Sequence, residues 1–150
     1  MNITILAVGK LKEDYLQEAS SFYLKRLNKQ VLVNIIEIND EKFEENYSLR
    51  KQEEIKNQEG KQLLRYIKKE QFVIALAIEG KEMDSESFSL FLKEMPSRGK
   101  SELIFIIGGS LGLSREILSR ADLMLSFSPM TFPHQLMRVI LLEQLDHCYL

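Results

Sequence analysis

The sequence predicts an α/β domain, with a mostly parallel β-sheet and helices on both of its faces. Two observations lead to this class. Short apolar runs rich in β-branched residues recur along the 150 residues, as expected of buried strands. Amphipathic stretches with a 3.6-residue period lie between these runs. Strands that alternate with helices build βα units, whose parallel sheet is covered on both sides.

The N-terminal half contains two predicted strands and two predicted helices. Ile3–Gly9 is a short apolar run that ends in glycine and indicates a buried strand. The next segment carries an apolar stripe with helical spacing, formed by Tyr15, Leu16, Ala19, Phe22, Tyr23 and Leu27. Val31–Ile38 is typical of a second strand. The charged segment after it predicts a loop over Asn39–Ser48 and then a helix, of which LRKQEEIKN forms a solvated face.

The third predicted strand is Phe72–Ile78, and Asp84 or Ser85 can cap the helix after it. Pro96 and Gly99 end that helix.

Two more strands and two more helices complete the chain. ELIFIIGG predicts the fourth strand, and Ser114 caps a short helix that ends near Arg120. DLMLSFS predicts the fifth strand. Pro133 opens the last helix, where the N–H that proline lacks is not needed.

The last predicted helix is apolar on two faces. Its two stripes are Leu136, Val139 and Ile140, and Met137, Leu141 and Leu145. A helix of this kind must be covered on two sides. The sheet can cover one side, and we expect a second copy of the chain to cover the other in a symmetric homodimer. The alternative is a central helix buried within one chain.

Length and composition favour a single domain over residues 1–150. No run of about 18 apolar residues is present, so no membrane partner is expected. The N-terminus lacks the basic start of a signal peptide. The single cysteine, Cys148, cannot form an internal disulfide, which fits a reducing compartment. We therefore expect a cytoplasmic protein.

The formal net charge of −2 argues against a generic nucleic-acid binder, because phosphate contacts require a positive excess. It leaves open a composite target, in which a larger assembly supplies much of the contact surface.

A glycine turn follows the fourth predicted strand in IFIIGGSLGLS, Ile104–Ser114. Gly112 is followed by Leu113 and Ser114 rather than by the lysine of a phosphate-binding P-loop. The glycine spacing also differs from the dinucleotide fingerprint. What remains is a backbone that can approach an uncharged ligand closely, or a tight turn without a ligand.

Three loops leave strand ends on the same side of the predicted sheet: Leu76–Gly80, Gly108–Gly112 and Phe127–Phe132. Ligands of open α/β sheets lie beyond the carboxyl ends of the strands, so these loops could share one pocket. The third loop is unusually apolar and contains proline, which suits either a pocket wall or ordinary loop packing.

Familiar catalytic motifs are missing. The sequence has no HExxH, CxxC or GxSxG motif, so we expect neither a metal site nor a serine hydrolase. His134 begins the last helix and could be a helix cap or a catalytic group. Arg138 lies one turn later and could be a surface cation or a phosphate contact at the pocket mouth. Lys10 and Lys12 are further candidates for phosphate contacts.

Four segments resemble the RlmH family of small, single-domain SPOUT-class methyltransferases. They are MNITILAVGKLK, LAIEGKEMDS, IGGSLGLS and LSFSPMTFPHQLMRVILLEQ. The resemblance runs from Met1 to about Gln144, and the last block is long and specific.

The resemblance implies a fold whose C-terminal part threads a trefoil knot, a topology that is almost absent among proteins in general. It implies S-adenosylmethionine (SAM) as the cofactor and a homodimer as the assembly. By motif, the cofactor-binding residues would be Leu76, Gly108, Phe127, Ser128, Pro129, Met130, Thr131 and Phe132. The implied reaction is methylation at N3 of a pseudouridine in large-subunit (23S) ribosomal RNA, within assembled ribosomes. His134 and Arg138 are the candidate catalytic residues.

The C-terminal residues depart from the family pattern after about position 144. The family typically continues with a Tyr-Arg pair and a basic tail that builds the substrate side of the site across the dimer. This sequence reads LDHCYL, so the role of the tail is not assigned to His147 or Tyr149. The departure supports the hypothesis that the chain binds SAM and dimerises but methylates poorly.

Two other functions stay open. A non-enzymatic dimeric module would keep the fold and SAM binding without catalysis. An unrelated nucleotide-binding α/β domain would prefer a nucleoside phosphate to SAM.

Overall fold

The computed structural model describes residues 1–150 and alternates strands with helices along the whole chain. The strands are β1 (Asn2–Val8), β2 (Leu32–Ile38), β3 (Phe72–Glu82), β4 (Glu102–Ile107) and β5 (Leu123–Ser126). The helices are α1 (Asp14–Leu27), α2 (Leu49–Leu64), α3 (Ser85–Glu94), α4 (Arg115–Arg120) and α5 (His134–Tyr149), with a 3₁₀ turn at Pro96–Arg98. The predicted α/β class is confirmed.

All five strands are parallel and form one sheet in the order β2-β1-β4-β3-β5. Helices α1, α3 and α5 cover one face, and α2 and α4 cover the other. Alternate residues of each central strand supply the two cores. In β4, Phe105 belongs to the core beneath α5, and its neighbours Ile104 and Ile106 belong to the core beneath α2.

Side-chain caps set the starts of three helices. The Asp84 carboxylate accepts the Ser87 N–H at 2.7 Å, and the Ser114 hydroxyl accepts the Ile117 N–H at 3.3 Å. Ser48 caps α2 in the same way. Because each oxygen satisfies an N–H that has no partner within the helix, these residues fix where the helices begin. The predicted caps at Asp84 and Ser114 are confirmed, as is the loop over Asn39–Ser48.

Strand β3 runs to Glu82 rather than ending at Ile78, so its predicted end is wrong. Leu76 and Lys81 both pair with Leu125 of β5, because the register shifts between them. Gly80 makes this second pairing possible: a Cβ there would lie 2.6 Å from the Met124 carbonyl carbon. The residues between Leu76 and Lys81 are displaced from the ladder, as in a β-bulge.

Helix α5 has one buried stripe and one half-buried stripe. Leu141 and Leu145 are fully buried in the core. Leu136, Val139 and Ile140 are half-buried. Cys148 is buried and forms no disulfide. None of the helices combines the length and the apolarity that crossing a membrane requires.

Candidate cofactor-binding site

A cavity of about 720 Å³ lies beyond the carboxyl ends of β3, β4 and β5. Its walls include residues from all three predicted loops, which confirms that these loops meet. Parallel strands end at the same edge of the sheet, so loops distant in sequence come together there. Of the 23 lining residues, 12 are hydrophobic. This mixture suits a ligand with an apolar body and a few polar groups.

Seven of the eight residues implied as cofactor ligands line the cavity: Leu76, Gly108, Phe127, Ser128, Met130, Thr131 and Phe132. Pro129 is exposed and lies outside the wall. His134 also lines the cavity, and Arg138 does not.

The glycine turn is closed by backbone contacts. The Gly112 N–H donates to the Gly109 carbonyl at 3.1 Å. A Cβ on Gly108 would lie 2.8 Å from the Gly112 carbonyl carbon, so the two ends of the turn meet only because Gly108 lacks a side chain. Gly112 has a φ of 85°, which favours glycine. The turn therefore presents backbone to the cavity and places no cation there.

The apolar loop after β5 is held by two serines. The Ser126 hydroxyl donates to the Ser128 carbonyl at 3.1 Å, and the Ser128 hydroxyl accepts the Met130 N–H at 3.0 Å. Met130 is 72% exposed although it lines the cavity, which places it at the rim. Local hydrogen bonds of this kind hold a loop in shape without regular secondary structure.

His134 is half-buried at the start of α5, between the cavity and the loop after β1. Burial lowers the pKa of its imidazole, an effect that the Asp40 carboxylate opposes and that Arg138 and Lys12 reinforce. The Lys12 N–H donates to the Gln135 side chain at 3.1 Å and holds the β1 loop against α5. A lowered pKa leaves the imidazole neutral, and able to accept a proton, at neutral pH.

Arg138 is buried, so its interpretation as a surface cation is wrong. Its guanidinium forms an ion pair with Glu37 at the end of β2 and donates to the Gly9 carbonyl at 2.9 Å. Only 2% of the residue is exposed, and its buried Nε has no partner. The charge is therefore used within the fold, and no phosphate can reach it on the surface.

Two residues of α2 were not predicted from the sequence to belong to the site. Lys56 lines the cavity, although its segment was predicted to form a solvated face. Glu59 is buried, and its carboxylate accepts the Glu41 N–H at 3.0 Å. The signal that could have found them is Gly60: a Cβ there would overlap the Ser114 hydroxyl, so α2 packs closely against the start of α4. A glycine inside a charged helix is typical of such close packing.

A second concavity, of about 650 Å³, lies on the outer face of α1. It has one hydrophobic lining residue, Phe22, and lies away from the strand ends. A ligand pocket needs a larger apolar wall, so the cavity at the strand ends is the better candidate. No group of three or more His, Cys, Asp or Glu side chains is arranged to hold a metal ion.

Comparison with known proteins gives consistent matches over nearly the whole chain. A family model described as "Predicted SPOUT methyltransferase" matches residues 1–148. A protein of Clostridium kluyveri named "Ribosomal RNA large subunit methyltransferase H" is 54% identical over 145 residues, which cover 97% of this chain and 91% of that protein. A protein of the same name from Clostridioides difficile is 54% identical over 149 residues, covering 99% and 94%. One from Carboxydothermus hydrogenoformans is 53% identical over 149 residues, with the same coverage.

A solved structure described as "Crystal structure of an hypothetical protein" shares the fold. Its TM-score is 0.56 at 15% sequence identity, over 99% of this chain and 67% of that chain.

Proposed function

Since the chain belongs to the SPOUT methyltransferases, and among them to the family of ribosomal RNA large subunit methyltransferase H, we propose that it methylates a pseudouridine of large-subunit ribosomal RNA at N3. The methyl donor is SAM, and the substrate is the assembled ribosome. One observation carries the proposal. Three strand-end loops line a half-apolar cavity, and one of these loops is a glycine turn that has no phosphate-binding lysine.

The cavity fits SAM in size and in chemistry. Its volume of about 720 Å³ lies within the range of small-molecule sites. Phe127 and Phe132 supply apolar wall for an adenine ring, and the glycine turn supplies backbone groups for the polar edges of a nucleoside. A nucleoside triphosphate would require several cations, whereas Lys56 is the only lysine or arginine in the wall.

The main task of these residues is positioning. When bound, SAM supplies an electrophilic methyl group on a cationic sulfur. The shape of the 127–132 loop, held by Ser126 and Ser128, sets the geometry in which the donor and the ring nitrogen meet. Holding two reactants in line can lower a barrier by about 7–11 kcal/mol in favourable systems.

His134 accepts the N3 proton in this proposal. It lines the cavity, and burial lowers its pKa so that the neutral base is present at neutral pH. Arg138, one turn later on α5, is a positioning residue rather than a catalytic one. Its ion pair with Glu37 fixes the helix that carries His134.

Docking on the ribosome uses exposed cations near the start of α5. Lys10 and Lys12 are exposed on the loop after β1, beside the start of α5. Two phosphate contacts are a modest electrostatic anchor, in keeping with a net charge of −2 and a target that also offers ribosomal protein surface. An enzyme that acts on the ribosome works in the cytoplasm.

The proposal includes a homodimer and a C-terminal trefoil knot, both taken from the family. The half-buried stripe of Leu136, Val139 and Ile140 supports the dimer, because an apolar helix face of this kind suits a symmetric contact.

The test is transfer of labelled methyl from SAM to bacterial ribosomes that lack the modification. Free large-subunit RNA serves as the parallel substrate. We expect label in the ribosomes, confined to one pseudouridine, and little in the free RNA. Mapping by mass spectrometry distinguishes N3 from other positions.

Three results would contradict the proposal. Label at another nucleotide would show that the methylated nucleotide is not the proposed pseudouridine. If a folded protein that binds SAM transfers no label, the result would favour the non-enzymatic binding module. If the protein prefers a nucleoside phosphate to SAM, SAM is not its cofactor.

A further inference from the structure

Lys56 is the one cation in the wall of the cavity. The other titratable lining residues are Glu79 and His134, and the imidazole is neutral at neutral pH. Every other lining group is apolar, a hydroxyl or backbone. A ligand with one negative group would therefore find a single complementary charge in this cavity.

The packing of α2 explains why this lysine reaches the site. Gly60 lies against Ser114, immediately after the glycine turn. Residues four apart lie on the same face of a helix, so Lys56 projects from the face on which Gly60 packs against the start of α4. The neighbouring helical residues Ile55 and Glu59 are buried beneath it. Lys56 is thus carried by a helix that is fixed in the fold, not by a loop.

Lys56 has hydrogen-bonding capacity to spare. Its side chain is 23% exposed and forms an ion pair with Glu53 at 2.8 Å. An ammonium group has three N–H donors, and Glu53 occupies one of them. The remaining donors are available to a second anion in the cavity.

We propose that Lys56 binds the carboxylate of the amino-acid end of SAM and so selects the intact donor over analogues that lack this group. This inference rests on the proposed function. The donor has one carboxylate, and no residue of the three strand-end loops offers that carboxylate a cation. A charge-assisted hydrogen bond from a partly buried lysine is the contact that the cavity provides for it.

The experiment compares the dissociation constants of SAM and decarboxylated SAM, measured by calorimetry. The two ligands share the adenosine, the sulfonium and the ammonium and differ only in the carboxylate. We expect the wild-type protein to bind SAM about 3- to 10-fold more tightly than decarboxylated SAM. This range lies between the contribution of an exposed ion pair and that of a charge-assisted hydrogen bond. In Lys56→Gln the affinity for SAM falls by that factor, the affinity for decarboxylated SAM is retained, and the preference disappears.

Two further variants sharpen the comparison. Lys61→Gln removes an exposed lysine of the same helix that lies outside the cavity, and it should leave the preference unchanged. Glu53→Gln removes the anion that competes for Lys56, and it should increase the preference for SAM. A gain of this kind cannot come from misfolding.

A preference for SAM that survives in Lys56→Gln would overturn the inference while leaving the proposed function intact. If Lys56→Gln weakens only the binding of ribosomes, the lysine contacts RNA and the inference is wrong. If the wild-type protein binds neither ligand, the proposed function fails and this inference fails with it.

Discussion

Arg138 of α5 and Glu37 of β2, 101 positions apart in the sequence, form an ion pair beneath the surface of the domain. The Arg138 side chain is 3% exposed and that of Glu37 is 33% exposed. The same guanidinium donates to the carbonyl of Gly9, so one side chain joins α5 to the ends of both β1 and β2. The helix that carries His134 is thereby attached to the β2 edge of the sheet, which is the edge opposite β5.

Removal of Glu37 should destabilise the fold. In Glu37→Ala the Arg138 charge stays buried without its partner. Breaking a fully buried pair costs about 3–5 kcal/mol, and the partial exposure of Glu37 reduces the expected loss in the free energy of unfolding to about 1–3 kcal/mol. Urea unfolding measures it. Glu94→Ala, which breaks the exposed pair with Arg98, is the matched control and should cost less than about 1 kcal/mol. Equal losses in the two variants would contradict the structural role of Arg138.

The pH dependence of methyl transfer should report on His134. Because burial lowers the pKa of its imidazole, the rate should reach its plateau by neutral pH and fall only below about pH 6.5, the ordinary histidine value. His134→Asn should lower the single-turnover rate of methyl transfer by about 100-fold or more and remove this acid limb, while the affinity for SAM persists. Single-turnover rates on ribosomes from pH 5.5 to 8.5 measure both effects. An acid limb that persists in the variant would assign the proton to another acceptor.

Glu59 should make stability depend on pH. Burial raises the pKa of its carboxyl group. The hydrogen bond from the Glu41 N–H opposes this rise but is the smaller effect, and the charges of Asp40 and Glu41 add to the rise. The folded protein therefore holds this proton more tightly than the unfolded chain does. Its stabilising contribution is complete below about pH 4.5 and is lost as the pH rises through the folded-state pKa.

The variant Glu59→Gln should remove this dependence. The amide oxygen still accepts the Glu41 N–H, but no charge has to be buried. At pH 7.5 we expect the variant to be more stable than the wild type, with the gain absent at pH 4.5. Urea unfolding at the two pH values tests this, with Glu54→Gln on the exposed side of the same helix as control. A loss of stability at pH 7.5 would show that the ionised form of Glu59 supports the fold.

The half-buried stripe of α5 should form the dimer contact. Val139→Asp places a carboxylate in that stripe, and burial of an unpaired charge in an apolar interface is costly. We expect the wild-type protein to sediment as a dimer and the variant as a folded monomer. Leu90→Asp changes a side chain of α3 that is 62% exposed, and it should leave the dimer intact. A dimer that persists in Val139→Asp would show that another surface forms the contact.

Local patterns in the sequence predicted most of the fold. Periodicity indicated the strands and helices, and the capping residues Asp84 and Ser114 marked helix starts because they act on N–H groups only a few positions away. The end of β3 was missed, since the pairing of Lys81 with Leu125 depends on a neighbouring strand and on the absence of a side chain at Gly80.

The sequence by itself determined that three strand ends meet at one edge, because parallel βα units leave no other arrangement. Only the tertiary structure decided which charged residues enter the site. Arg138 is buried in an ion pair with Glu37, and Lys56 reaches the cavity because Gly60 lets α2 pack against Ser114 at the start of α4. A charged side chain has the same local pattern whether it meets water or a partner. Whether it is exposed or buried depends on residues that are distant in sequence and adjacent in the fold.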